Sequence, residues 1–563
     1  MPTRITLDPV ARVEGHLRID CEVDDGRVTR AWVSGQMWRG IEPILVGRDP
    51  REAWLFTQRI CGVCTTVHAI ASVRAVENAL GLEIPLNAQY IRNLILAAHA
   101  IHDHIVHFYH LAALDWVDIV AALRADPRQS ARLAEGMSSW SHNGAEEMQA
   151  TQERLKALAG SGQLGIFAGD FGGHPAMRLP PEVNLLAATH YLQALEVQRK
   201  ANQIVAILGS KTPHIQNLAV GGVANPISLN PLTLERLFYV KELIDQLGDF
   251  VRNAFVADVA ALGAYYAEWT GYGAGVTDYL ALPDFPLDGA GTRFALPGGY
   301  IENGDLASFR PITSFQDPFF RDGVEESVKH AWYQGDAPLH PWQGKTEPRY
   351  SDFQHQGRYS WVKAPTFYGK PAQVGPLAHV LCMLAAGHAP TRRHLDRLLQ
   401  SAAAIAGTEI PSTALHSTIG RFAARAVRCA VLHEILETQW QALMDNLDRG
   451  DVRTSVQPEF PAQEVRGLGF HEAPRGALSH WVVIEGGKIK NYQAVVPTTW
   501  NAAPRNDDDQ PGPYEAALVG NPVVDPEAPL EVLRTVHSFD PCLACAVHML
   551  DRDRGELVRV QAL

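Results

Sequence analysis

The chain has 563 residues, 46% of them hydrophobic and 20% charged, with a formal net charge of −13. That balance is ordinary for a globular protein with a large buried core, and it excludes a chain that is disordered along its length. The acidic surplus also excludes general nucleic-acid binding, which needs a basic footprint.

The first residues, MPTRITLDPVARVEGHL, lack the basic region and apolar core of an export signal. No run reaches the roughly eighteen apolar residues of a membrane span. The longest, near Asn93–Ile101 and His379–Gly387, are interrupted by Asn or His. An export or membrane address is therefore expected from a partner. Leu17–Val23 and Val28–Val33 alternate apolar and polar residues around Asp24-Asp25-Gly26-Arg27, which predicts a hairpin.

From Arg51 to Arg124 the pattern is helical. Ala71, Val73, Ala75, Val76, Ala79 and Leu80 fall at helix spacing with Gly81 as C-cap, and a second helix is expected over Ala88–His110. Pro181–Leu208 and Thr233–Tyr266 read as further helices. Tyr272–Lys370 is rich in Gly, Pro and aromatics, which predicts loops and short strands. Helices resume at Pro376–Gly387, Thr391–Ala406 and Thr418–Asp448, and strands at Ser479–Ile484 and Lys488–Val496. No repeat, low-complexity tract or linker interrupts the chain. The expected fold class is predominantly α with smaller β-rich segments (α+β). If the chain's two reactive-looking ends meet, it is one intertwined unit.

There are seven cysteines, too few for a disulfide framework. Cys21, Cys382 and Cys429 are isolated and read as small buried hydrophobes. The other four form two C-x-x-C pairs, Cys61/Cys64 in RICGVCTTVH and Cys542/Cys545 in SFDPCLACAVH. Each pair sets two sulfurs on one side of a turn, close enough to share a metal. Thiolates select zinc, nickel, copper or iron over magnesium or calcium. Three readings compete. Structural zinc is the default for four cysteines, but zinc ribbons hold their pairs only about fifteen to twenty residues apart. A redox disulfide in either pair would want a βαβ setting, which neither has. The third reading is a catalytic metal centre in the core of a large fold.

RICGVCTTVHA and DPCLACAVH resemble the two signature motifs of nickel–iron hydrogenase large subunits. RVEGHLRI, SGQMWRGIEPILVGRDPREAW, HDHIVHFYHLAALDWVD, EAPRGALSHW and YQAVVPTTWNAAPR resemble further blocks of that family, in its order and along nearly the whole chain. The pattern is most similar to the respiratory, uptake-type members. The resemblance implies that Cys61, Cys64, Cys542 and Cys545 bind nickel. Cys64 and Cys545 would also bridge to an iron carrying cyanide and carbon monoxide. Dihydrogen would be split heterolytically there. By the same resemblance Glu14 takes the proton from Cys542. Arg475 is held over the metals by Asp103 and Asp540, Thr498 offers a hydroxyl to a cyanide, and His68 hydrogen-bonds a bridging sulfur. Without the resemblance, Glu14 reads as a surface carboxylate at a hairpin edge and Arg475 as part of a surface salt bridge.

Glu42, the carbonyl of Ala494 and His548 resemble the ligands of a magnesium ion, or sometimes iron, near the C-terminus. His102, His104, His107 and His110 suggest a second metal site, but the family treats such residues as structural. Val63 and Leu111 fall where the family narrows its gas channel, and they suit a core equally well. The resemblance further implies a catalytic domain over 1–548 and a maturation tail over 549–563, removed by an endopeptidase after nickel and iron insertion by chaperones. It also implies a small subunit that carries iron–sulfur clusters and the export signal, with membrane association on the periplasmic side through partners. The related quinone-site subunit of respiratory complex I lacks the four cysteines. A zinc-stapled scaffold without catalysis is the remaining alternative.

Overall fold

The computed structural model describes residues 3–162, 165–168, 171–226, 233–335 and 337–546. Strands β1 (Thr3–Leu7), β2 (Leu17–Asp24) and β3 (Arg27–Gly35) form an antiparallel sheet in that order. Its hairpin closes with Asp24 opposite Arg27, and the two turn residues have φ 48° at Asp25 and φ 68° at Gly26. Two left-handed residues match the twist of the flanking strands, which is why Asp-Gly sits there. The alternation in β2 and β3 turns Leu17, Ile19, Cys21, Val28, Ala31 and Val33 to one face. Against that face pack Tyr514, Leu518, Val532, Val536, Phe539 and Leu543, so the two ends of the chain share one core.

The main core is helical. It contains α1 (Val67–Leu80), α2 (Leu86–Ile105), α3 (Pro181–Gly209), α4 (Leu234–Phe250), α5 (Val256–Tyr265), α6 (Pro376–Ala385), α7 (Ala389–Ala406) and α8 (Thr418–Asp448). Helix α1 ends as expected on Gly81, in the left-handed region at φ 64°. Two of the predicted helices are broken by wider turns. The helix expected to run to His110 passes into a π-helical segment at Val106–Ala112, and the one expected over Thr233–Tyr266 does so at Val251–Phe255. A π turn re-aims the side chains that follow it. Beyond α2, His107 Nε2 lies 2.6 Å from the backbone oxygen of His537. Apolar periodicity carries no mark of that change of pitch.

The second sheet is β4 (Val465–Ala473), β5 (Gly476–Glu485) and β6 (Lys488–Val495), again antiparallel and in order. Strand β4 was not among the predicted strands. It is buried along most of its length, so it lacks the alternation that reveals a half-exposed strand. Ala473 pairs with Gly476, which leaves Pro474 and Arg475 at the hairpin tip. The predicted irregular middle of the chain is borne out as short strands and loops around Tyr279–Phe367. Among the described residues no helix is long and apolar enough to cross a membrane.

Candidate metal centre

The first cysteine pair occupies the turn that leads into α1. Cys61 Sγ accepts the backbone N–H groups of Val63 (3.3 Å) and Cys64 (3.2 Å), so the sulfur itself closes the turn. The second pair follows α9 (Leu530–Ser538) through Asp540, whose backbone is left-handed at φ 63°. The pairs meet. Cys61 Sγ lies 3.3 Å from Cys542 Sγ, Cys64 Sγ lies 2.9 Å from Cys545 Sγ, and Cys542 and Cys545 are 3.0 Å apart. All four sulfurs fall within 4.8 Å of one another and are buried, and none is in a disulfide. Four sulfurs this close can share one ion at metal–sulfur bonds of about 2.3 Å.

Burial disfavours every thiolate here. Cys61 is nevertheless held well below the usual thiol range by hydrogen bonds from the other three cysteines and the nearby charge of Arg475. Burial pushes Cys64 up to about 11 and drives Cys542 and Cys545 well above the thiol range. The pocket is built for negative charge and stabilises only part of it without a cation, which is how a soft-metal site behaves.

Glu14 sits on the loop between β1 and β2. That loop runs beside the second pair as a short parallel bridge. Glu14 N–H donates to the Pro541 carbonyl (3.3 Å), and Leu543 N–H donates to the Glu14 carbonyl (2.7 Å). Its carboxylate accepts from the Ala544 N–H (2.9 Å) and from Cys542 Sγ (3.3 Å). Burial and the negative charge of Cys61 raise its pKa above the usual carboxylate value. Glu14 is half-buried against a sulfur and is not a carboxylate at a hairpin edge.

Arg475 is carried into the core by the β4–β5 hairpin tip. Its Nη1 and Nη2 donate to the two oxygens of Asp103 (2.9 and 3.2 Å), Nη2 also donates to Asp540 Oδ1 (2.9 Å), and Nε donates to the Asp540 carbonyl (2.9 Å). Those two carboxylates outweigh the cost of burial and hold the guanidinium charged. Thr498 Oγ1 accepts the Cys542 N–H at 3.2 Å, which leaves its hydroxyl proton to donate elsewhere. Cys64, Val67, Pro474, Arg475, Leu478, Thr498, Cys542 and Cys545 line one small cavity. His68 Nε2 lies 3.4 Å from Cys545 Sγ, and burial drops its pKa to about 4, so the ring is neutral.

The remaining predicted residues fall elsewhere. Glu42 Oε1 accepts the Ala494 N–H (3.0 Å) and Oε2 accepts the Thr346 hydroxyl. Beside them Lys363 Nζ donates to Gln493 Oε1 (2.7 Å) and Glu326 Oε2 (3.2 Å). Glu42 and Ala494 therefore share an oxygen-rich location, while His548 and the tail lie outside the described residues. The four clustered histidines separate to Gln198, to Arg425 and Arg428, to the His537 carbonyl and to the Tyr191 carbonyl. They make no common site.

Sequence reading missed two features. Arg421, Arg425 and Arg428, at i, i+4 and i+7 of α8, are all buried. Arg425 reaches Asp540 Oδ2 at 3.3 Å and so ties the arginine–carboxylate cluster to the helical core. The spacing was visible, but arginines are rarely buried, and nothing local marks these as inward. The second feature is a buried row behind His68, whose Nδ1 lies 3.1 Å from His480 Nε2; His480 Nδ1 lies 2.6 Å from the Tyr492 hydroxyl, which donates to Ser72 Oγ at 2.9 Å.

The family model described as "Nickel-dependent hydrogenase" matches residues 39–548, and one described as "HoxL-like" matches residues 4–34. The chain belongs to the nickel-dependent hydrogenase large-subunit family, and its members are oxidoreductases acting on dihydrogen. It is 57% identical to the hydrogenase-2 large chain of Escherichia coli K12 over the full length of both. It is 44% identical to the uptake hydrogenase large subunit of Bradyrhizobium diazoefficiens, covering 99% of this chain and 97% of that one. Among solved structures it is similar to the as-isolated oxidised Ni-Fe-Se hydrogenase of Desulfovibrio vulgaris Hildenborough, with TM-score 0.79 and 32% identity over 97% of this chain and 100% of that one. The α+β intertwined fold and the meeting of the two cysteine motifs are thereby borne out.

Proposed function

We propose that this chain is the catalytic subunit of a nickel–iron hydrogenase in its precursor form. Cys61, Cys64, Cys542 and Cys545 would hold nickel, and Cys64 and Cys545 would bridge to an iron that carries cyanide and carbon monoxide. The observation that carries this reading is the cluster of four buried, disulfide-free sulfurs drawn from both ends of the chain. When bound, the two metals supply the Lewis acidity that polarises dihydrogen for heterolytic cleavage.

The protein's part is to hold and move protons and to fix orientation. Glu14, 3.3 Å from the Cys542 sulfur, is the group placed to receive a proton from it. Burial and the charge of Cys61 raise its pKa, so this carboxylate takes up a proton more readily than an ordinary one. Arg475 presents a fixed charge over the cavity because Asp103 and Asp540 leave its fork no freedom. Thr498 lines the same cavity. Glu42, the Ala494 carbonyl and His548 would hold a magnesium ion, a hard cation suited to oxygen donors.

Residues 1–548 form the catalytic domain in this reading, and 549–563 are a tail removed by an endopeptidase after insertion chaperones deliver the metals. Electrons leave through an iron–sulfur small subunit, which also brings export and membrane attachment on the periplasmic side. Metal analysis tests the centre: nickel plus iron with infrared bands of bound cyanide and carbon monoxide is expected, and zinc alone would refute it. Before its removal the tail would hold the second cysteine pair open for metal loading, and a chain truncated after His548 that takes up nickel on the normal schedule would refute that role.

A further inference from the structure

Two short segments run side by side at the metal centre. One is the loop from Ala11 to Glu14, and the other is the stretch from His537, near the end of α9, to Ala544. Beside the sulfurs they are joined by the backbone bonds of Glu14 to Pro541 and Leu543 and by the Ala544 N–H on the Glu14 carboxylate. At the far end His537 Nε2 lies 2.9 Å from the Ala11 carbonyl oxygen. The segment that supplies Cys542 therefore also grips the residues before Glu14.

A third element locks that far joint. Arg12 donates through Nη1 to the Leu111 carbonyl, on the π-helical segment, and through Nη2 to Asp115 Oδ1, on the single turn that follows it. The other Asp115 oxygen lies 2.6 Å from His537 Nδ1. Burial alone would raise the pKa of Asp115, but the charges of Arg12 and His537 hold it at about 2, so it is a carboxylate that only accepts. The Ala11 carbonyl also only accepts. His537 therefore carries a proton on each ring nitrogen and donates at both ends. His107 Nε2 lies 2.6 Å from the backbone oxygen of His537, which ties α9 to the same π-helical segment. The backbone of Arg12 is left-handed at φ 55°, a conformation that a residue with a side chain keeps only where its surroundings impose it.

We propose that Arg12, Asp115 and His537 are positioning residues that clamp the loop before Glu14 and so set its carboxylate at the Cys542 sulfur. This deepens, and rests on, the reading that Glu14 takes a proton from Cys542. The bonds to Pro541 and Leu543 hold Glu14 itself, and the clamp keeps the loop from pivoting about them. Arg12 is the member to replace, because its side chain is 20% exposed while Asp115 and His537 are buried.

The test measures kcat per bound nickel, KM for dihydrogen and the solvent deuterium isotope effect on kcat in purified holoenzyme. Arg12→Gln removes both arms of the fork. Its kcat is expected to fall about tenfold with KM within about twofold, since a displaced acceptor slows proton transfer and leaves gas binding alone. The isotope effect should rise at least about twofold, because proton transfer then limits turnover. In a Glu14→Gln background the same substitution should cost less than about twofold more, since residues that act through one group are not additive. Wild-type kcat in Arg12→Gln, a lowered kcat with an unchanged isotope effect, or an equal tenfold loss in both backgrounds would overturn the proposal. If Arg12→Gln yields no soluble enzyme, His537→Gln decides in the same two backgrounds, because its amide can donate to only one of the two acceptors. Wild-type kcat in Glu14→Gln alone would instead overturn the proton role of Glu14.

Discussion

Gly15 sets how closely the N-terminal loop approaches the second cysteine pair. It has φ +84°, and a Cβ there would sit 2.7 Å from the Ala544 nitrogen and 2.8 Å from Leu543 Cβ. Gly15→Ala therefore carries two penalties. The left-handed backbone costs a residue with a side chain about 1–3 kcal/mol. Carbon contacts also settle near 3.5 Å, so one segment must retreat by about 0.7 Å. The segments that part are those carrying Glu14 and Cys542, which are joined by the Leu543-to-Glu14 backbone bond of 2.7 Å. A misplacement of this size at reacting groups costs up to about a hundredfold in rate. The assay is dihydrogen-dependent reduction of an artificial electron acceptor, with nickel content measured on the same sample. We expect kcat to fall between about tenfold and a hundredfold while at least half the nickel is retained, because Cys61 and Cys64 are untouched. A Gly15→Ala enzyme with wild-type kcat and full nickel would refute the argument that the backbone contact positions Glu14.

Arg475→Lys keeps a charge but loses the fork that spans Asp103 and Asp540. Activity should fall about a hundredfold with nickel content unchanged, and a wild-type rate would contradict the role of the planar guanidinium. Asp115, fully buried, accepts from Arg12 and lies 2.6 Å from His537 Nδ1. Burial alone would raise its pKa, but the charges of Arg12 and His537 win and hold it at about 2. A depressed carboxylate adds stability above its unfolded pKa near 4 and loses it as pH falls toward 2. By this route Asp115 should contribute about 2 kcal/mol at neutral pH. Asp115→Asn should lower the melting temperature at pH 7 and flatten its fall between pH 5 and 3, and an unchanged acid limb would count against the assignment. Cys21 is buried in the N-terminal sheet, far in role from the four-sulfur cluster. Cys21→Ala should cost about 1–2 kcal/mol of stability and no nickel, whereas Cys61→Ser should lose the metal.

How much of this was legible in the sequence depends on the range over which each feature is encoded. The hairpin over Leu17–Val33 was readable because alternation and an Asp-Gly turn act between neighbours. The cysteine pairs were readable as metal ligands because C-x-x-C is local chemistry. That the pairs share one metal was not readable from spacing, and only the family motifs suggested it. The structural cause is the common core of the chain ends, in which Leu17, Ile19 and Val33 meet Val532, Phe539 and Leu543. That core lays the Glu14 loop along Cys542, and no residue in either segment announces the pairing alone. The row behind His68 was illegible for the same reason. It is assembled from α1, β5 and β6, and its logic appears only when four separated side chains are in register. Ser72 and His68 are one helical turn apart, and His480 and Tyr492 lie on adjacent strands, so α1 and this sheet together close the row on itself. A rigid helix and a rigid sheet hold side chains more firmly than loops can. Cys61 and Cys64 lie in a turn and Cys545 on a single helical turn over Leu543–Ala546, so the firmness of the centre must come from the longer elements behind it.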